Sequence, residues 1–321
     1  MAQGPRRRGD DWGISSPVWK NMDKGETNMW DGNGGTVRKP AVAGMFYEAD
    51  ADDLRAEIER CFLSPFGPGR LPESSLSGAR DIVGLVSPHA GLIYSGPTAA
   101  HGYLRLAEDG QPELAVLLGV NHRGYGDPVS VGITPAWRTP LGDVEVDAEA
   151  AKRIAALSGY ASENELAHRI EHSLEVQVPF LQYLYGAKIR IVPVVMSLSV
   201  REPVALHAAR DIGAAATEAV AGRNAVVIAS TDFSHYESRE SAEARDSLAI
   251  GHILEMDEEG LLRTVREMDI SMCGAAPTAA GIAACRLMGA QTAVKLAYGT
   301  SGDISGDYSQ VVGYASIEFR R

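Results

Sequence analysis

The chain has 321 residues, of which 45% are apolar and 22% charged, enough to bury a sizeable core. Its net charge of -12 argues against a nucleic-acid partner, because phosphate binding needs a basic surface. No apolar run approaches the roughly 20 residues that span a bilayer, so no membrane association is expected.

Residues 1–36 are rich in Gly, Asp, Asn, Arg and Lys and lack a sustained apolar period. They are expected to form a disordered tail or an over-extended start, with Met22 and Met29 as later starts, and they carry no secretory signal. From Val37 the composition becomes that of one α/β domain running to residue 321. Ala51–Phe62 has the spacing of an amphipathic helix, with Asp50 as its N-cap. "DIVGLV" (81–86) is a buried strand, followed by a helix through "TAAHGYLRLA" with Pro97 in its first turn. "ELAVLLGV" (113–120) and "NAVVIAS" (224–230) are further buried strands. "KIRIVPVVM" (188–196) is another, which Pro193 places near an edge. Helices are expected over 147–157, 163–185, 200–221 and 238–268. "AVKLAY" and "SQVVGYASIEF" close the chain as strands. Apolar strands alternating with helices predict a single-domain α/β sandwich with a largely parallel central sheet and helices on both faces.

Three of these strands end alike: the first in His89, the second in His122, and the third in Asp232 and His235. Ligands of open α/β sheets bind beyond the carboxyl ends of the strands, so parallel strands would lift all three histidines into one crevice. Cys273 stands just before an Ala-rich helix that has Pro277 near its start. There the unpaired N–H groups favour a thiolate. Two imidazoles and a thiolate suit iron, copper or zinc. In "RIEHSLEVQVPFLQYL" the spacing puts Glu171, His172 and Glu175 near the start of an amphipathic helix, where His172 and Glu175 would support a ligand histidine from behind. The loop 298–310 is either a mobile lip over the crevice or a plain surface loop. His101, His168, His207 and His252 fall in helical segments and are assigned no role. Cys61 and Cys285 fit buried apolar cysteines, and three scattered cysteines suit a reducing cytoplasm.

Together "VRKPAVAGMFYEAD", "PHAGLIYSG", "LLGVNHRG", "IEHSLEVQVPFLQYL", "STDFSHY", "MCGAAP" and "GYASIEF" resemble the Memo family, the B component of the AmmeMemoRadiSam set, over nearly all of residues 37–319. The resemblance implies a fold similar to the class III extradiol dioxygenases. It assigns His89, His122 and Cys273 as metal ligands, with cysteine where those enzymes have glutamate. It also places Asp232 and His235 in the site, His235 as the acid/base. Two functions follow from it. One is an iron(II) (or copper) redox enzyme of dioxygenase type acting on a small, aromatic substrate. The other is a non-enzymatic copper or iron carrier, taking its ion from a metal donor or partnering a radical-SAM protein and its companion.

Overall fold

Twelve strands of mixed direction join into one sheet over residues 37–73 and 80–321, the part of the chain that the computed structural model describes. The expected tail, residues 1–36, lies outside the described residues. In chain order the elements begin with β1 (Val37–Arg38), α1 (Ala51–Leu63), β2 (Ile82–Ser87), α2 (Leu92–Asp109) and β3 (Leu114–Val120). Next come β4 (Val129–Val131), β5 (Ala136–Thr139), β6 (Gly142–Val146), α3 (Ala148–Leu157), β7 (Ala161–Glu163), α4 (Gln177–Tyr185) and β8 (Arg190–Met196). The chain then forms α5 (Ala205–Ala219), β9 (Ala225–Ser230), β10 (His235–Glu237), α6 (Arg239–Leu254), α7 (Glu258–Glu267) and α8 (Ala275–Leu287). It closes with β11 (Thr292–Thr300), α9 (Ser301–Ser305) and β12 (Val311–Arg320).

The sheet runs β1-β5-β6-β8-β3-β9-β2-β12-β10, with β11 on β12 and β4 on β8. Its centre, β6-β8-β3-β9-β2, is parallel, and antiparallel pairs flank it on both sides. The central strands are apolar on both faces because helices cover both. Leu114, Val116 and Leu118 of β3 enter one core, packed with residues of α5, α7 and α8. Ala115 and Leu117 enter the other, with residues of α1, α2 and α4. Local chemistry agrees with this packing. Asp50 caps α1 by accepting the amides of Asp52 and Asp53, and Leu54, Ile58, Cys61 and Phe62 form the buried stripe of that helix. No helix among the described residues is long and apolar enough to cross a membrane.

Four expectations about elements are corrected. Pro193 does not mark a sheet edge: β8 is interior, and Pro193 falls where its partner changes from β6 to β4, so its missing N–H breaks no ladder bond. α2 starts at Leu92, which puts Pro97 inside the helix rather than in its first turn. The 238–268 stretch is two helices, divided where Met256 takes φ +52° and Asp257 caps α7. The 163–185 stretch is helical only from Gln177. Before it, the carboxylates of Glu165, Glu171 and Glu175 turn inward and accept backbone amides at Thr134, at Ser173, and at Ala41 and Val42. Those bonds hold the chain in successive turns that helical periodicity does not anticipate.

Candidate metal centre

Strands β3, β9 and β2 lie side by side and parallel, so their carboxyl ends, Val120, Ser230 and Ser87, open at one edge. Two residues beyond each end stand His122, Asp232 and His89. The start of α8 closes on the same point. A Cβ on Gly274 would lie 2.5 Å from Thr231 Cβ and 2.7 Å from the Ser230 carbonyl, so only glycine permits this approach. The preceding residue, Cys273, thereby meets the amide of Asp232, which donates to Sγ at 3.3 Å.

Hydrogen bonds fix which imidazole nitrogen faces the crevice. The Ser230 hydroxyl donates its one proton to the Ser173 carbonyl at 2.6 Å, so it must accept from His89 Nδ1–H at 2.9 Å. His89 Nε2 then faces Cys273 Sγ at 3.3 Å. Gln177 steadies the arrangement, donating to Ser230 Oγ at 2.8 Å while accepting from the Tyr103 hydroxyl. His122 donates Nδ1–H to Glu171 Oε1 at 2.9 Å, which leaves Nε2 as the nitrogen free for a metal ion. One donor atom from each of His89, His122 and Cys273 lies within 4.8 Å of the other two.

These donors fit a metal ion. With zinc's bond lengths of about 2.05 Å to nitrogen and about 2.3 Å to sulfur, the two atoms stand about 3.1 Å apart at a right angle and about 3.6 Å at the tetrahedral angle. The observed 3.3 Å lies between them. The thiol is prepared for the role. Burial alone would push Cys273 up, but the charge of His89 and hydrogen bonds from His122 and His89 outweigh it and bring the thiol down to about 6. Burial would likewise pull His122 down, yet the Glu171 charge and the bond to Cys273 raise it to about 10. Burial works against ionisation of Glu171 too, and the His122 charge more than offsets it, holding the carboxyl well below its usual range.

His172 is at the site, stacked on His122 with ring centroids 4.5 Å apart and packed against Phe46 at 4.7 Å. Glu175 is not. It pairs with Arg38 at 2.6 Å, accepts the Tyr47 hydroxyl at 2.6 Å, and ties down the segment that carries Phe46. The carboxylate behind His122 is Glu171, which receives four N–H groups. Asp232 borders the crevice, and His235 lies close enough for its charge to act on Asp232, but the two are held by different partners. Asp232 Oδ1 accepts the His89 amide at 2.8 Å, and burial pushes its carboxyl up. His235 donates Nδ1–H to the Ser271 carbonyl at 2.9 Å and its backbone N–H to Ser271 Oγ at 2.7 Å, so its Nε2 also carries the free lone pair.

Several participants have no expectation behind them: Glu171 as the His122 partner, Ser230, Gln177 and Ser271. Ser230, at the end of an apolar run beside two histidine-bearing strands, was the one with a readable signal. The 298–310 segment is not a free lip. It folds in part into α9 and flanks a cavity of about 180 Å³ together with Tyr94 and His101 of α2. His168 is buried against the Ser130 carbonyl and pulled down to about 3 by burial and the Arg38 charge, away from the centre. Cys61 and Cys285 are buried and unpaired.

The model of the family described as Memo-like protein matches residues 38–318. A MEMO1 family protein of Methanopyrus kandleri is 50% identical over 286 residues, covering 88% of this chain and 99% of its own. Those of Methanothermobacter thermautotrophicus (47%) and Nitrosopumilus maritimus (41%) are each similar over 283 residues, with 88% of this chain and 99% of theirs covered. A match spanning almost the whole described fold, and holding all three donor residues within it, means that this chain belongs to the Memo family.

Proposed function

We propose that the protein holds one iron(II) ion on His89, His122 and Cys273, with copper or zinc as alternatives, and acts as a dioxygenase-type oxidoreductase on a small aromatic or phenolic substrate. The observation that carries this reading is the convergence of one nitrogen from each of His89 and His122 with the Cys273 sulfur within 4.8 Å, both imidazoles being held from behind. Once bound, the metal would supply a Lewis acid and a one-electron redox centre. The chain's own residues do the rest. His89 and His122 keep fixed tautomers through Ser230 and Glu171. His235 Nε2, with Nδ1 anchored on Ser271, accepts the proton of a substrate hydroxyl. Asp232 holds the His89 backbone and the edge of the Cys273 pocket. The His122 side chain is 28% exposed, which leaves the centre open to a small molecule.

A second reading keeps the donors but not the turnover: a metal carrier, or a partner of a radical-SAM protein and its companion, in the reducing cytoplasm. It is favoured by Cys273 itself, a soft thiolate suited to copper(I). One experiment separates the two. Metal content and oxygen uptake with phenolic substrates are measured together on His235→Ala. The enzyme reading expects full metal with a loss of about 100-fold in turnover, the usual worth of a positioned acid/base. Unchanged turnover would remove His235 from the chemistry.

A further inference from the structure

Strand β10 pairs antiparallel with β12, His235 opposite Val312 and Glu237 opposite Val311, so Tyr236 is an extra residue bulged out of the ladder. Its φ is +59°, the left-handed region that a bulky side chain occupies only under strain and that glycine would enter freely. The strain is imposed from both sides. His235 is anchored to Ser271, and Glu237 is held by Arg245 at 2.9 Å and by the Ser241 hydroxyl. Packing does not explain the ring, which is 57% exposed. Its centroid lies 6.0 Å from that of the His235 imidazole. A second exposed tyrosine, Tyr94, rises from the first turn of α2, just beyond His89. Burial pushes the hydroxyl of Tyr314, on β12, upward. Asp232, Tyr94 and Tyr236 all add to that push, so both tyrosines lie close enough to that hydroxyl for their charges to reach it.

Exposed aromatic residues are ordinary, but one kept in a strained bulge beside the candidate base is not. We propose that Tyr236 determines substrate specificity: its ring stacks on the flat face of an aromatic substrate whose hydroxyl proton passes to His235. This inference rests on the proposed function and names the residue that selects its aromatic substrate.

The test uses the zinc-loaded protein, because zinc is redox-inert and leaves the probe unchanged. Catechol and trans-1,2-cyclohexanediol are titrated into the parent chain, Tyr236→Phe and Tyr236→Gly, and each variant is melted. We expect Tyr236→Phe to bind catechol within about twofold of the parent, and Tyr236→Gly to lose about tenfold, the scale of one aromatic stack. Tyr236→Gly should melt no lower than the parent, since glycine relieves the bulge, and the diol should bind weakly and equally to all three. Equal catechol affinity in Tyr236→Gly, or no preference for catechol over the diol in the parent, would overturn the proposal. So would a Tyr236→Gly melting point several degrees lower, because the ring would then be a packing element. Zinc content measured on the same samples reports separately on the metal reading. If the parent takes up no zinc, that reading fails, and catechol titrations of the metal-free chains still decide the role of Tyr236.

Discussion

Replacing Glu171 by Gln should weaken both the fold and the metal centre. The carboxylate is 1% exposed and accepts four N–H groups: His122 Nδ1–H at 2.9 Å and the amides of His122, His172 and Ser173 at 2.6, 2.8 and 2.8 Å. An amide offers one oxygen and one NH2, so whichever way Gln turns, its NH2 confronts at least one buried donor. Each buried donor left without an acceptor costs about 1–3 kcal/mol. For a domain of this size that corresponds to a fall of roughly 2–5 °C in Tm. Metal affinity should drop about 10–100-fold, or about 1.4–2.7 kcal/mol, as expected when the group orienting a ligand histidine loses its charge. The assay is competition against a chromophoric zinc chelator, with a melting curve on the same protein. Unchanged affinity in a folded Glu171→Gln protein would refute the argument that this carboxylate sets the tautomer and basicity of His122.

Glu175→Gln should separate the two acidic residues. It removes the charge opposite the buried Arg38 and should cost about 3–5 kcal/mol of stability, with metal affinity within about threefold of the parent. A large loss of affinity would return Glu175 to the centre. The pH dependence of metal uptake follows from the thiol at about 6 and the imidazole at about 10. The lowered thiol stays ionised down to about 6 and gains its proton below that, while the raised imidazole keeps its proton until the pH passes about 10. Between these values the metal must displace the His122 proton, so affinity should rise about tenfold per pH unit, more steeply below 6, and level off above 10. Chelator competition across that range, with proton release measured near pH 8, checks this; a flat profile would contradict the thiolate–imidazolium pair.

The centre was legible in the sequence because it is built at the ends of apolar runs. His89 and His122 follow the runs of β2 and β3, and Cys273 precedes an Ala-rich helix, so chain order alone brings them to one edge once the strands are parallel. What lies behind them was hidden. Glu171 and Glu175 are spaced as a helix would space them, and only the fold shows that one faces His122 and the other Arg38. The helical period failed across 164–176 because the Glu171 carboxylate takes up the amides of His172 and Ser173, and Glu175 turns inward to the amides of Ala41 and Val42. Ser271 lies far from His235 in sequence and meets it only through tertiary packing. Tyr236 carries no sequence signal, since its interest lies in a backbone angle.

The central claim is that Cys273, with His89 and His122, ligates one metal ion. Cobalt(II) substitution of untagged protein, under anaerobic conditions, tests it most directly, because a thiolate bound to cobalt gives an intense charge-transfer absorption. The parent chain should take up one cobalt ion and show that band. Cys273→Ala should lose the band together with most of the metal, while keeping its melting temperature. Full cobalt occupancy in Cys273→Ala, or a parent spectrum without the sulfur band, would contradict the assignment.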